Sequence, residues 1–205
     1  MLDAEKNQPR RTQEERRKQA EEALLNAAIE LIAEQGVQQT SFIHIGKRAG
    51  YSRGLASHYF GSKEELVSAI TLYLQDKFNS QLGDIEGVNG LDMLNRSIDS
   101  YFEYTFGTSK DARAYLVLWS AGLQENSDKR PFLEADKRTC ARISAVIEIG
   151  KNDGSIPQSL DSAAFSEICL ALMRGVAIQI LTSSFTIDLQ DVKKQCRALI
   201  GNAIV

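Results

Sequence analysis

The chain has 205 residues, with 24 Lys and Arg against 27 Asp and Glu, for a net charge of −3 and a pI near 5.5. That balance excludes a protein that coats nucleic acid over its whole surface, and 43% hydrophobic with 25% charged residues describes an ordinary soluble globular protein able to bury a sizeable core. No run of about 18 apolar residues is present, and the N-terminus MLDAEKNQPRRTQEERRKQ has no apolar signal core, so neither a membrane span nor secretion is expected and the expected location is cytoplasmic.

The first eleven residues are polar, include Pro9 and read as a disordered arm over 1–11. Arg10 and Arg11 there either reach toward DNA or belong to a solvated tail. From Thr12 the pattern turns helical. Leu24, Leu25, Ala28, Leu31 and Ile32 recur at spacings of three, four and seven, one face of an amphipathic helix, which Gly36 ends.

Two short helices follow, with Phe42, Ile45, Ala49, Ala56 and Phe60 as their inward residues. Between them Ala49-Gly50-Tyr51 is a tight turn, where a residue without Cβ is easiest to place. Ser52 is the N-cap of the second helix. Gly46, inside the first, costs about 1 kcal/mol against Ala and suits a close helix approach. Ser62 and Glu65 form a capping box for a helix through Ile70, Leu74 and Phe78 to about Leu82.

Beyond the Gly83–Gly90 loop, helices are predicted at about 91–106, 111–125, 130–149, 160–184 and 188–203. No alternating strand pattern and no internal repeat interrupts them. The fold class is therefore all-α, about nine helices: a disordered arm (1–11), a helix-turn-helix domain (12–66) and a larger helical domain (67–205). Cys140, Cys169 and Cys196 are widely spaced within helical patterns and read as reduced interior or interface residues. No metal-ligand spacing joins them to His44 and His58, the two histidines. No metal and no cofactor is expected.

Two helices joined by a short Gly-containing turn form the helix-turn-helix pattern, whose second helix enters the major groove of DNA. The charge agrees. From Gly36 to Lys63 there are four basic residues, Lys47, Arg48, Arg53 and Lys63, and no Asp or Glu, a local footprint for phosphate inside an acidic chain. Lys47 and Arg48 either contribute to that footprint or form a solvated helix face. Residues 1–63 are net +2 and residues 64–205 net −5, which places any DNA contact at the N-terminal end.

The run LLNAAIELIAEQGVQQTSFIHIGKRAGYSRGLASHYFGSKEELV resembles the DNA-binding domain of the TetR family of bacterial transcriptional regulators. In register are the paired Ala of the first helix, the Gly, the Thr-Ser opening, Ala-Gly-x-Ser, a Gly two residues after that Ser, and aromatic-Phe-x-x-Lys-Glu-x-Leu. The resemblance covers roughly residues 20–67. It implies a homodimer on a palindromic operator, usually a repressor released by a small-molecule effector. Carried over by position, it implies that Ser41, Ser52, Tyr59 and Lys63 touch phosphates. Arg53, Leu55 and Ser57 then face base edges or the groove wall, with Gly54 and His58 beside them in the DNA-binding set. Arg53 suits guanine O6/N7 and Leu55 a thymine methyl, while the phosphate set fixes register without conveying sequence. Ser57 stands where an aromatic residue is common, Tyr59 where His is common and Gly46 where Ala is common, so the base assignments rest on less than the phosphate ones.

The resemblance also implies an effector cavity in the larger domain. Tyr101, Phe102, Tyr115 and Trp119 are its candidate apolar wall, and Arg174 and Gln179, on an otherwise apolar helix, its candidate polar groups; ordinary core packing is the other reading of the aromatics. The last two helices carry more apolar surface than one packing face needs, including Leu170, Leu172, Ile178, Ile180 and Leu181, which points to pairing with a second copy.

An enzyme is the rival reading. No Walker loop, dinucleotide glycine fingerprint, HExxH or nucleophile elbow is present, and both histidines lie in the DNA-binding segment. Carboxylate catalysis stays open with nothing pointing to it. A helical adaptor would account for the apolar final helices but not for the acid-free basic segment. The expected function is a DNA-binding transcriptional regulator, not an enzyme.

Overall fold

A computed structural model describes residues 12–80, 88–107, 109–123, 130–182 and 188–202; the predicted arm over 1–11 and most of the 83–90 loop lie outside them. Among the described residues there are nine helices and no strand: α1 (Gln13–Gln39), α2 (Phe42–Ala49), α3 (Arg53–Phe60), α4 (Lys63–Ser80), α5 (Gly90–Gly107), α6 (Ser109–Ala121), α7 (Arg130–Asp153), α8 (Ser162–Thr182) and α9 (Leu189–Asn202).

The helix starts follow from their caps. Thr12 Oγ1 accepts from Glu15 N–H, and Glu15 returns its carboxylate to Thr12 N–H, a complete capping box. Ser41 and Ser52 accept from His44 and Leu55 N–H at the starts of α2 and α3. Ser62 and Glu65 form the reciprocal pair at α4. At Gly36, with φ 82° and ψ 170°, the chain leaves the helical path within the α1 range. Thr40 then closes that end, its hydroxyl donating to Gly36 O at 2.8 Å.

Packing gathers the helices around two apolar cores. The first holds Leu24, Ala28, Ile32, Ile45, Ala56, Phe60, Leu66, Ile70 and Leu74, and extends to Ala114, Leu118 and Phe132. It thus joins the three N-terminal helices through α4 to α6 and α7. Each large side chain buried there contributes about 1.5–3 kcal/mol. The second core unites α5, α7, α8 and α9 through Leu94, Ile98, Phe102, Ile143, Ile147, Phe165, Cys169, Met173, Cys196 and Ile200. All three cysteines are free and buried.

Helix α8 is long and apolar enough, by length and composition, to cross a membrane. Its Phe165, Cys169, Met173 and Ala177 are buried in this fold, and Arg174 on the same helix pairs with Asp136 of α7.

Candidate nucleic-acid interface and interior cavity

The turn between α2 and α3 is closed by Gly50, a left-handed C-cap at φ 76° and ψ 25°, and by the Tyr51 N–H donating to Gly46 O at 2.8 Å. This six-to-one bond is the Schellman closure that a glycine at that position allows. Gly46 answers the packing question raised by its sequence position. A Cβ there would lie 2.9 Å from both C and O of Ser52, the residue that caps α3. The two helices approach more closely than any side chain at position 46 permits.

On this scaffold Ser52, Arg53 and Gly54 at the start of α3 and His58 and Tyr59 near its end are exposed, and Ser41 and Ser57 are half-buried. Among the described residues the side chains of Arg53 and Lys47 are exposed and make no hydrogen bond or ion pair, so both cations face solvent. The Ser41 and Ser52 oxygens accept cap bonds, and each hydroxyl hydrogen remains available to a phosphate oxygen. Phe60 is buried at 4% exposure while Tyr59, at 38%, sets its ring edge-on to it at 4.7 Å. Leu55 is half-buried and packs against the first core, so only part of it shares the face with Arg53. Lys63 is half-buried and donates to Gln38 O at 3.1 Å, which anchors the start of α4 to the end of α1.

Arg48 is exposed, but its charge is already paired within the chain. Its guanidinium forks onto Glu34, Nη1 to Oε1 at 3.1 Å and Nη2 to Oε2 at 2.8 Å, with Glu30 Oε2 at 3.4 Å. The basic face therefore carries Lys47, Arg53 and the Lys63 ammonium.

The larger part of the chain encloses a cavity of about 300 Å³ between α4, α5, α6, α7 and α8. Its wall is mostly apolar, with Phe78, Tyr101, Tyr104 and Tyr115 as its aromatic part. Burial pushes the Tyr101 and Tyr115 phenols up to about 12, so both stay neutral hydroxyls. Arg174 reaches the wall with its charge met from behind: Nη1 and Nη2 bind the two carboxylate oxygens of Asp136 at 3.0 and 2.5 Å. Of the six residues proposed for a cavity, Tyr101, Tyr115 and Arg174 line it and three do not. Phe102 turns into the second core at 2% exposure. Trp119 lies behind the wall, its ring 4.7 Å from the Arg174 guanidinium carbon, and Gln179 is exposed on α8.

Two family models match the chain: "Bacterial regulatory proteins, tetR family" over residues 24–70 and "BetI-type transcriptional repressor, C-terminal" over residues 91–205. The chain belongs to the TetR family. UidR of Escherichia coli K12, an HTH-type transcriptional regulator, is 28% identical over 183 residues, 88% of this chain and 91% of that one. BetI of E. coli O17:K52:H18 is 30% identical over 106 residues, and the match spans about half of each, 50% of this chain and 54% of BetI. A transcriptional regulator from Saccharomonospora viridis, solved in complex with choline, shares the fold with a TM-score of 0.78 at 19% identity, over 92% of this chain and 98% of its own.

In this TetR-family regulator the polar part of the cavity differs from the sequence reading. Gln75, Arg142, Tyr104, Ser97, Thr105 and Thr139 all reach the wall. Gln75 had a signal: it is an amide on the helical stripe Val67, Thr71, Gln75, Phe78, beside the apolar stripe Leu66, Ile70, Leu74 of α4. Arg142 had none, because α7 is charged along most of its length.

Proposed function

We propose that this TetR-family regulator is a ligand-released repressor that binds a palindromic operator as a homodimer. In this reading residues 12–66 are the DNA-binding domain and 67–205 the effector and dimerisation domain, and the protein works in the cytoplasm away from the membrane. The observation that carries it is the solvent-facing side of α3. Ser52, Arg53 and Gly54 stand at its exposed start and Tyr59 is exposed near its end, on a segment that has no Asp or Glu between Gly36 and Lys63. Arg53 reads guanine in the major groove, while Ser41, Ser52, Tyr59 and Lys63 fix the phosphates. Leu55, Ser57 and His58 complete the contact face.

The large apolar residues left exposed on the last two helices, Ile168 on α8 and Leu189 and Leu199 on α9, supply the two-fold interface. Two copies of α3 then meet successive major grooves about 34 Å apart. Release needs an effector that binds one spacing of the two α3 helices better than the other, because a ligand shifts an equilibrium only through differential affinity. The cavity beside α4 is where such a ligand acts, and the choline complex of the S. viridis protein supports a ligand-binding role for this fold.

Selection of bound duplexes from a random pool by the purified protein, at two salt concentrations, tests the reading. An enriched palindrome with a steep salt dependence is expected. Binding without sequence enrichment, or no binding by a folded dimer, would overturn it.

A further inference from the structure

One residue of the cavity wall, Gln75, carries a buried polar atom without a counterpart among the described residues. Gln75 lines the cavity and is 5% exposed. Its Nε2 donates to the backbone carbonyl of Ala135 at 2.5 Å and lies 3.4 Å from Thr139 Oγ1. A carbonyl only accepts, so this bond fixes which end of the amide is nitrogen. Oε1 is left buried with no hydrogen-bond partner among the described residues. Buried polar atoms are nearly always paired. A lone acceptor just beneath a mostly apolar wall therefore marks where a donor from outside the chain belongs, once the amide turns its oxygen to the cavity.

The charge of the wall narrows what that donor belongs to. The lining residues include Arg142 and Arg174 and no Asp or Glu. Asp136 answers Arg174 from behind the wall, and burial holds the Arg142 guanidinium below its ordinary value, the response of a cation already short of solvent. A second cation in the same space is disfavoured. The volume of about 300 Å³ is that of a small drug-sized site.

We propose that the cavity takes a mostly apolar, non-cationic small molecule whose O–H or N–H group donates to Gln75 Oε1. This rests on reading the cavity as the effector site and adds the ligand's chemistry and the place where it is sensed. Gln75 sits on α4, the helix that leaves the helix-turn-helix, and its other end already holds α7 at Ala135. A donor on Oε1 is thus felt on the element that joins the two halves of the chain. Hydrocarbon of the same shape fills the volume and leaves Oε1 unanswered.

Three molecules of one shape separate these effects: 2-naphthalenemethanol, 2-ethylnaphthalene and 2-naphthylmethylammonium. Their binding to the full-length protein and to Gln75→Leu is measured by calorimetry without DNA, with folding checked by circular dichroism. The alcohol is expected to bind the wild type at least about 10-fold more tightly than either of the others, as sites built around a hydrogen bond reject analogues that lack it. In Gln75→Leu the alcohol's advantage over the hydrocarbon disappears while the hydrocarbon still binds. Gln75→Met, unbranched and without the carbonyl, serves the same purpose if the leucine variant is unstable. Equal binding of alcohol and hydrocarbon to the wild type would overturn the proposal. So would an alcohol preference that survives without Gln75, tighter binding of the ammonium, or no binding of any of the three. A protein that passes here and fails to select an operator would sink the repressor reading alone.

Discussion

The guanidinium of Arg48 forks onto the carboxylate of Glu34, fastening the first helix of the helix-turn-helix to α1. Glu30, one turn earlier, takes the same guanidinium on one oxygen and the Lys110 ammonium of α6 on the other, at 3.4 and 3.0 Å. A cation drawn from the basic segment is spent inside the protein, in a chain of charges that runs from α2 through α1 to α6.

Arg48→Ala should therefore leave the salt dependence of DNA binding unchanged, because its charge is already matched. Lys47→Ala should lower the slope of log K against log salt by about 1, as loss of a phosphate contact does. Binding titrations of both variants at several salt concentrations check this. Equal slopes for the two variants would contradict the assignment.

The same pair has a pH signature. The Arg48 hydrogen bond holds the Glu34 carboxyl below the ordinary glutamate value of 4.5. A carboxyl lowered on folding contributes stability that is present above its unfolded pKa and lost as pH falls through the folded one. The difference in Tm between wild type and Arg48→Ala should be present at pH 7 and should close as pH falls below about 4.5. Thermal melts of both proteins from pH 7 to pH 3 measure it. A gap that persists at the acid end would contradict the pairing.

Gly46→Ala sets helix propensity against packing. Propensity favours Ala by about 1 kcal/mol, but the new Cβ meets Ser52 backbone atoms at 2.9 Å, and overpacking of this kind costs about 1–3 kcal/mol. Packing should win, with a net loss of up to about 2 kcal/mol in urea denaturation. DNA affinity should fall further than stability does, because α3 must move to make room. A variant more stable than wild type with full DNA affinity would contradict the close approach.

Ile168 and Leu199 are 62% and 59% exposed in the single chain. Ile168→Asp and Leu199→Asp should leave the helical content intact and shift the protein from dimer to monomer in sedimentation. Operator affinity should drop with the loss of two-site binding. Unchanged sedimentation of both variants would place the interface elsewhere.

Most of the helical frame was legible in the sequence because local chemistry fixes it. Ser52, Ser62 and Glu65 cap where their side chains reach the next turn, and Gly36 and Gly50 take backbone conformations suited to a residue without Cβ. The apolar stripe from Leu24 to Ile32 identifies the buried face of α1 by its spacing alone. What escaped depends on contacts distant along the chain. Arg48 finds its partners 14 and 18 residues away, which no local pattern encodes. Tyr101 and Phe102 are neighbours about 100° apart on one helix, so both look like wall residues until α7 and α8 fix which side is core. Tyr101 then faces the cavity, while Phe102 continues the Leu94–Ile98 stripe of α5 into the second core. Trp119 and Arg174 were both expected at the cavity; Arg174 reaches its wall, while the indole lies behind the guanidinium.

The most direct test of the central claim is a comparison of Arg53→Ala with wild type on the duplex selected by the wild-type protein, at matched salt. With folding intact by circular dichroism, the variant should lose about 1–3 kcal/mol of affinity for that duplex. Its discrimination should relax at the base pair that Arg53 contacts, with weaker, salt-dependent binding to any sequence retained. Undiminished affinity and unchanged sequence preference in Arg53→Ala would contradict the assignment of α3 as the element that reads DNA.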